Sequence, residues 1–328
     1  MVGYFAGRRT LTGGACAVVV CAVLGTGACS ARYIRSETPP TEPLPEHSIS
    51  RNIVVVSVDG LRPDAIGTYG APTLQRLMRE GSFTLSASTI HPSKTLPSHT
   101  SMLTGQGPDL HGVLWNTPAT AKTDAIDLPN IFSVARAHGY STAAFFSKAK
   151  FQPLQLRGTL DYSQAPGGLA GRWSSDRTIS DVAKYLEGAR PNVLFVHLTD
   201  PDAAGHRDGW MTPAYGHAVL AADTALDRLM QVSERAYGSG NYSVIVTADH
   251  GGHGTNHGSD DPRDVTIPWI AWGKGVRPGA LDSTTIRTMD TASTVLWVLG
   301  LREPSEWAGT AVTTAYQPIA VPLAGRDQ

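Results

Sequence analysis

The feature that most constrains the fold of this 328-residue chain is the alternation of two kinds of segment. Short runs rich in Val, Ile and Phe predict buried strands at residues 53–58, 141–146, 193–198, 243–247 and 267–272. Amphipathic stretches predict helices at residues 72–80, 128–138, 178–187, 218–233 and 289–299. Such alternation predicts an α/β fold, a three-layer α/β/α sandwich with a mostly parallel central sheet.

The composition limits the classes of function. A hydrophobic content of 41% provides ample core for one large domain. The formal net charge of -1 argues against nucleic-acid binding through bulk electrostatics, because such binding depends on neutralising phosphates with Lys and Arg. It does not argue against a small phosphorylated substrate.

The first residues predict an export signal rather than part of the fold. Arg8 and Arg9 precede an apolar run at residues 15–24, which is short for a membrane span. The arginine pair resembles a twin-arginine signal, and the small residues before Cys29 resemble a lipoprotein cleavage box with Cys29 as the lipidated residue. We therefore expect an exported, extracytoplasmic protein anchored to the bacterial cell membrane by an N-terminal lipid. The alternative is an uncleaved anchor helix.

Four regions follow from this interpretation. Residues 1–29 are the expected export signal, residues 30–50 a Pro-rich tether, residues 51–320 the catalytic domain and residues 321–328 a tail. All three cysteines lie within the signal, so no thiolate ligand is expected in the domain. A metal ion there would be held by carboxylates, imidazoles and hydroxyls.

Residues of the metal-ligating types follow three of the predicted strands. They are Asp59, Asp202, His206, Asp249 and His250, with His257 seven residues further on in a Gly-rich loop. A single Asp after a strand is most often a cap or a turn residue. Together, at the carboxyl ends of parallel strands, these side chains are expected to converge and to bind metal. His253 is an alternative to His257.

A hydroxyl group completes the pattern. Thr95 lies two residues before Pro97, which suits a first helical turn, so the Thr95 hydroxyl would lie at a helix N-terminus that favours anions. A nearby metal ion could make this hydroxyl a nucleophile. Ser93 and Ser98 are rival hydroxyls, and a simple capping role is the alternative for Thr95.

From residue 52 onward these motifs resemble the alkaline phosphatase superfamily, in particular compact bacterial members of the type I phosphodiesterase/nucleotide pyrophosphatase-like family. The resemblance implies two zinc ions, although other divalent metals are alternatives. It implies that one ion is bound by Asp202, His206 and His257 and the other by Asp59, Asp249, His250 and Thr95. It also implies attack by Thr95 on phosphorus and a phospho-threonine intermediate that water hydrolyses.

Five further residues are candidates for substrate binding. Ser98 stands where the family has Asn, and Asn116 could supply that amide. Lys148 and Lys150 resemble the carboxylate-binding lysine pair of phosphonoacetate hydrolase, and two solvated surface lysines are the alternative. Arg62 is the nearby arginine that could hold a monoester dianion.

The expected function is that of a metal-dependent phosphoric ester hydrolase, with diesters, nucleotides among them, favoured over monoesters. A C–P bond (phosphonate) hydrolase, supported by the lysine pair, and a phosphomonoesterase are the alternatives. A sulfatase is disfavoured because residues 95–99 lack the convertible Cys or Ser and the Arg of that family. The non-enzyme alternative is a surface lipoprotein that binds metal without catalysis.

Overall fold

The computed structural model describes residues 31–35, 48–117, 126–155, 158–168, 171–281 and 284–317. The expected export signal with Cys29 and the expected tail lie outside these ranges. Within them, no helix combines the length and the apolar character that crossing a membrane requires.

The described strands form one mixed sheet. They are β1 (Ala31–Arg35), β2 (Ile53–Val58), β3 (Ser82–Ser88), β4 (Thr142–Phe145), β5 (Tyr162–Pro166), β6 (Val193–Leu198), β7 (Ser243–Thr247), β8 (Thr266–Gly273) and β9 (Gly279–Ala280). Their order in the sheet is β1-β5-β4-β6-β2-β7-β8-β3-β9. Strands β5, β4, β6, β2 and β7 are parallel neighbours, and β1 and β8 run antiparallel at either side of them.

Helices cover both faces of this sheet. They are α1 (Pro63–Thr68), α2 (Pro72–Glu80), α3 (Thr95–Thr104), α4 (Pro108–His111), α5 (Ile131–Ala137), α6 (Ser175–Leu186), α7 (Asp200–Asp208), α8 (Pro213–Tyr237), α9 (Pro262–Val265) and α10 (Asp290–Val298). Short 3-10 turns lie at Ala149–Leu154 and Thr313–Ala315. Helices α2, α6 and α7 pack against α8, whereas α3 and α5 pack against α10. Strands β2, β4, β6 and β7 are buried along their whole length, as the expected three-layer sandwich requires.

The predicted strands agree with the structure where the sequence is apolar, whereas strands with a polar sequence were not predicted. Strands β2, β6 and β7 and helix α2 have the predicted bounds. Strands β3 and β5 were not predicted, because the sequences SFTLSAS and YSQAP contain no apolar run. Strand β1 lies inside the expected tether, where it pairs with β5 and satisfies backbone groups that an edge strand would leave open.

A single tryptophan joins the loops that follow the central strands. Trp210 donates its indole N–H to the carbonyl of Gly60 over 2.9 Å, just after β2. A Cβ added at Gly205 of α7 would lie 2.5 Å from the Trp210 ring, and one added at Gly252, after β7, would lie 2.2 Å from it. Both positions must therefore be glycine for the ring to fit between these segments.

We expect Gly205→Ala to destabilise the protein by about 1–3 kcal/mol, because the new methyl group overpacks against Trp210. Gly67→Ala is the matched control, since Gly67 also lies in a helix but has no atom within 4 Å of the added Cβ. Helix propensity alone predicts that this control is neutral or stabilising by up to about 1 kcal/mol. Urea unfolding of both variants measures the difference, and equal stabilities would contradict the packing role of Trp210.

Candidate active site

The candidate site lies at the carboxyl ends of neighbouring parallel strands. Asp59 directly follows β2, Asp249 and His250 follow β7, and Asp202 and His206 lie on α7 after β6. Because β6, β2 and β7 are adjacent in the sheet, three loops distant in sequence meet at one edge. The helical spacing of four residues places Asp202 and His206 on one face of α7.

A glycine allows these loops to approach each other. Gly60 has a φ of 70°, and a Cβ added to it would lie 2.9 Å from the Cα of Asp202. The Gly60 N–H donates to Asp249 Oδ1 over 3.1 Å, and the Asp202 N–H donates to the carbonyl of Asp59 over 3.0 Å. Backbone N–H groups therefore link the three segments that carry these carboxylates.

The first cluster consists of Asp59, Asp249 and His250, all fully buried. One ligand atom from each lies within 4.8 Å of the others. The Nε2 atom of His250 is 3.4 Å from Asp59 Oδ1 and 3.3 Å from Asp249 Oδ2. The hydroxyl of Thr95, the first residue of α3, is 3.3 Å from the same Nε2 atom.

The second cluster consists of Asp202, His206 and His257, again with ligand atoms within 4.8 Å of one another. Asp202 Oδ1 is 3.3 Å from His206 Nε2 and 3.8 Å from His257 Nε2. The rings of His250 and His257 stack with centroids 3.6 Å apart, so the two clusters are neighbours. The His206 side chain is 43% exposed, which places this cluster at the mouth of the site.

Backbone carbonyls orient the three imidazoles. The Nδ1 atoms of His206, His250 and His257 contact the carbonyls of Thr255, Gly251 and Ser93 at 2.8–3.0 Å. Each Nδ1 must therefore carry the proton, which leaves the lone pair on Nε2 directed into the cluster. Burial lowers the pKa of His250, and it lowers the pKa of His257 to about 3, so both rings stay neutral and able to ligate.

The carboxylates fit bound cations. Asp59 Oδ1, Asp202 Oδ1 and Asp249 Oδ2 are buried and accept no hydrogen bond within the described residues. Burial, and then the neighbouring Asp59, raise the pKa of Asp249 well above its usual range. Buried acceptors of this kind are costly unless a charge compensates them. Nitrogen and oxygen donors in two groups of three suit two divalent metal ions, one for each cluster.

A buried lysine lies between the two clusters. Lys148 Nζ is 2.6 Å from Asp59 Oδ2 and 2.5 Å from Asp202 Oδ2. Although burial opposes its charge, the two carboxylates raise the pKa of Lys148 above its ordinary value. Lys148 is therefore not the solvated surface lysine of the alternative interpretation, and its ammonium neutralises the outer oxygens of two candidate ligands.

The side chains of Lys150 and Asn116 lie next to the first residues of α3. Asn116 Oδ1 accepts a hydrogen bond from the Leu96 N–H over 2.9 Å and is 3.3 Å from Lys150 Nζ. Burial, and then Lys148, lower the pKa of Lys150. An amide and a second ammonium therefore lie beside the residue that follows Thr95.

The rival side chains have other partners. Ser93 Oγ donates to the carbonyl of Ser259 over 2.9 Å, and Ser98 Oγ donates to the carbonyl of Asp249 over 2.8 Å. His253 contacts Asp264 at 2.7 Å instead of joining the second cluster. The guanidinium of Arg62 is paired with Asp64. Of the three candidate hydroxyls, that of Thr95 is thus the one beside a cluster. The Ser98 hydroxyl instead donates to the backbone carbonyl of Asp249, a residue of that cluster.

Two buried histidines beneath the clusters were missed by the sequence analysis. His197 Nε2 is 2.9 Å from Asp59 Oδ2, and His99 Nδ1 is 2.7 Å from the carbonyl of Thr95. Burial lowers the pKa of both. A signal was present for His197, because it interrupts the apolar strand VLFVHL.

Comparison with known proteins identifies the family of this chain. The model of the family "Type I phosphodiesterase / nucleotide pyrophosphatase" matches residues 53–264. The chain is 26% identical over 234 residues to GPI ethanolamine phosphate transferase 1 of Gibberella zeae, covering 65% of this chain and 23% of that protein. It is 25% identical over 262 residues to ectonucleotide pyrophosphatase/phosphodiesterase family member 1 of Mus musculus, covering 70% of this chain and 26% of that protein. The chain thus spans about a quarter of the length of these curated relatives.

Among solved structures, murine ectonucleotide pyrophosphatase/phosphodiesterase 5 shares the fold. The TM-score is 0.67 at 16% sequence identity, and the match covers 80% of this chain and 100% of that chain. This likeness supports the alkaline-phosphatase-like α/β sandwich.

We expect the wild type to bind two metal ions and Asp249→Asn to bind at least one ion fewer, because the variant lacks one anionic group of the first cluster. Because burial and Asp59 raise the pKa of Asp249, a neutral amide at this position should also stabilise the metal-free protein by about 1 kcal/mol. Asp223→Asn is the matched control, since Asp223 is buried but accepts its hydrogen bonds from Thr73 and Leu74 in α2. Elemental analysis measures the metal content of both variants, and thermal unfolding measures their stability without metal. Full metal occupancy in Asp249→Asn would contradict the assignment of Asp249 to the first cluster.

Proposed function

The chain belongs to the type I phosphodiesterase/nucleotide pyrophosphatase family, and we propose that it is a two-metal phosphoesterase that cleaves small phosphate diesters through Thr95. One observation carries the proposal: two neighbouring ligand clusters contain three buried, unpaired carboxylate oxygens, and the Thr95 hydroxyl lies beside one of them. Nucleotides are within the proposed substrate class.

The proposed cofactors are two zinc ions. Asp59, Asp249, His250 and Thr95 would hold one, and Asp202, His206 and His257 the other. Three imidazoles and three carboxylates, with no thiolate, suit zinc and also permit other divalent metals. When bound, the ions supply positive charge that lowers the pKa of a hydroxyl and offsets the charge on phosphate oxygens.

The proposed reaction has two steps. Thr95 Oγ1 forms a bond to phosphorus while the bond from phosphorus to the leaving oxygen breaks, and the proton released from Thr95 ends on the leaving oxygen. Water next attacks the phospho-threonine, which releases the phosphorylated product and restores the hydroxyl. The N-terminus of α3 places its positive dipole end at the phosphate. Because Asn116 uses Oδ1 to accept from Leu96, its amide N–H groups remain for a phosphate oxygen.

We expect Thr95→Ala to lower kcat at least about a thousandfold, a barrier increase of about 4 kcal/mol, because the covalent route is lost. Thr95→Ser should keep measurable activity since the hydroxyl remains. Ser93→Ala is the matched control, because its hydroxyl serves only a backbone carbonyl.

Rates are compared at equal metal content, and the phospho-enzyme is trapped at low pH. A phosphate label on Ser93 or Ser98, or near-normal turnover by Thr95→Ala, would contradict the role of Thr95.

A second candidate function is supported by Lys150. Its ammonium lies beside Asn116 at the start of α3 and is not neutralised by a cluster carboxylate, in contrast to Lys148. A spare cation at this position could hold a further anionic oxygen, as in a phosphate monoester or a carboxylated phosphonate. The second candidate is therefore a phosphomonoesterase or a C–P hydrolase.

Substrate rates separate the two candidates. If diesters are the substrates, bis-nitrophenyl phosphate should be hydrolysed faster than nitrophenyl phosphate and phosphonoacetate, and Lys150→Met should change its kcat/KM little. If Lys150 holds an extra anionic oxygen, Lys150→Met should lower kcat/KM for the monoester or phosphonate by about ten- to a hundredfold, equivalent to about 1.5–3 kcal/mol. Lys184→Met, on the exposed surface of α6, is the control. Fastest turnover of the monoester would overturn the diester preference.

We also propose that the protein is exported and lipid-anchored through Cys29. The support comes from the sequence alone: the arginine pair, the apolar run and the small residues before Cys29. The expected mature protein begins at a lipidated Cys29, and membrane extraction should require detergent. Mass spectrometry of the native N-terminus tests this, and an unmodified Met1 would contradict it.

A further inference from the structure

We propose that His197 is a positioning residue that fixes which carboxylate oxygen of Asp59 faces the first metal cluster. The inference rests on the proposed two-metal function. It assigns a role to a residue that binds neither metal nor substrate.

The two oxygens of Asp59 have different surroundings. Oδ2 accepts a hydrogen bond from His197 Nε2 over 2.9 Å and is 2.6 Å from Lys148 Nζ. Oδ1 accepts no hydrogen bond within the described residues and lies 3.4 Å from His250 Nε2. Occupying Oδ2 thus leaves Oδ1 as the free ligand atom, directed toward the cluster.

The sheet register places His197 at this position. His197 of β6 is paired with Ser57 of β2, and Asp59 lies two residues beyond Ser57. Residues two apart along an extended chain point to the same side, so the imidazole extends toward the Asp59 carboxylate. The position follows from parallel pairing of two buried strands rather than from a loop.

A serine fixes the tautomer of His197. To donate to a carboxylate, Nε2 must carry the proton, so Nδ1 bears the lone pair. Ser147, which lies just after β4, has its hydroxyl 2.6 Å from Nδ1 and can donate to it. Both side chains are fully buried. The order of donation therefore runs from Ser147 to His197 and from His197 to Asp59.

Packing prevents the ring from turning. The centroid of the His197 ring is 4.6 Å from that of Phe151 and 5.0 Å from that of His99, in edge-to-face contacts. Lys148 is a long flexible chain shared between Asp59 and Asp202, so it contributes charge more than direction. The direction of the Asp59 carboxylate thus depends on His197.

The test compares His197→Leu, His197→Gln and Ser147→Ala with the wild type. The Gln amide can donate to Asp59 as Nε2 does, whereas Leu cannot. His111→Leu is the matched control, because His111 is also buried and bonded to Ser101, yet belongs to neither cluster. Zn²⁺ affinity at each of the two sites is measured by competition with a chromophoric chelator, and Tm is measured without metal.

We expect His197→Leu to weaken zinc binding at one site by about 10–100-fold and to leave the other site near the wild-type value. His197→Gln should recover most of that loss, and Ser147→Ala should lose less than His197→Leu. His111→Leu should lower the metal-free Tm without changing either affinity. This pattern would separate a positioning role from a purely structural one.

Unchanged affinity at both sites in His197→Leu would overturn the inference while leaving the two-metal function intact. If that variant does not fold, Ser147→Ala decides: weaker zinc binding at one site supports the inference, and wild-type affinity at both sites overturns the donation from Ser147 through His197. Failure of the wild type itself to bind two ions would instead contradict the proposed function, and the inference with it.

Discussion

The arrangement of the site depends on one constraint: the carboxylates of Asp59, Asp202 and Asp249 are buried close together. Like charges at this separation repel, and burial removes the water that would otherwise stabilise them. Lys148 neutralises the outer oxygens of Asp59 and Asp202, but the inner oxygens of all three carboxylates accept no hydrogen bond among the described residues. The imidazole lone pairs are directed at the same positions as these oxygens. This uncompensated charge and these lone pairs are the physical reason to assign two cations to the site.

The fold supports that arrangement with rigid elements. The ligands follow strands buried along their whole length, so their backbones are fixed by the central sheet. Gly60 allows the loop after β2 to contact α7, and the Trp210 ring packs between Gly205 and Gly252. Backbone carbonyls set the orientation of each histidine in the two clusters. The site thus combines ligands from three strand ends with supporting contacts that limit their movement.

In the proposed function, substrate selection depends on groups beside the start of α3 rather than on the ligand clusters. Asn116 and Lys150 meet beside Leu96, one residue after the proposed nucleophile. The guanidinium of Arg62 is paired with Asp64, so it does not supply the dianion clamp considered from the sequence. The choice between diesters and more highly charged substrates therefore depends on whether Lys150 contacts the substrate.

The sequence alone determined the α/β architecture and most of the Asp and His residues that form the two clusters. Apolar runs identified β2, β6 and β7 with their bounds, because a strand buried on both faces must be apolar throughout. Polar strands such as β3 and β5 gave no such signal, since their pairing depends on neighbours distant in sequence. The motifs after the strands left His257 and His253 as alternatives for one of the six cluster residues, and identified the five others that the structure brings together: Asp59, Asp202, His206, Asp249 and His250.

Only the tertiary structure decided which neighbouring groups take part. His257 rather than His253 lies beside Asp202, and Ser98 supports a backbone carbonyl, because loop packing sets those directions. Lys148 is buried between two carboxylates, although Lys-x-Lys reads equally well as a solvated pair. The contact of His197 with Asp59 required the register of β6 against β2. Sequence patterns record which residue types follow a strand, whereas side-chain partners depend on distances between segments far apart in the chain.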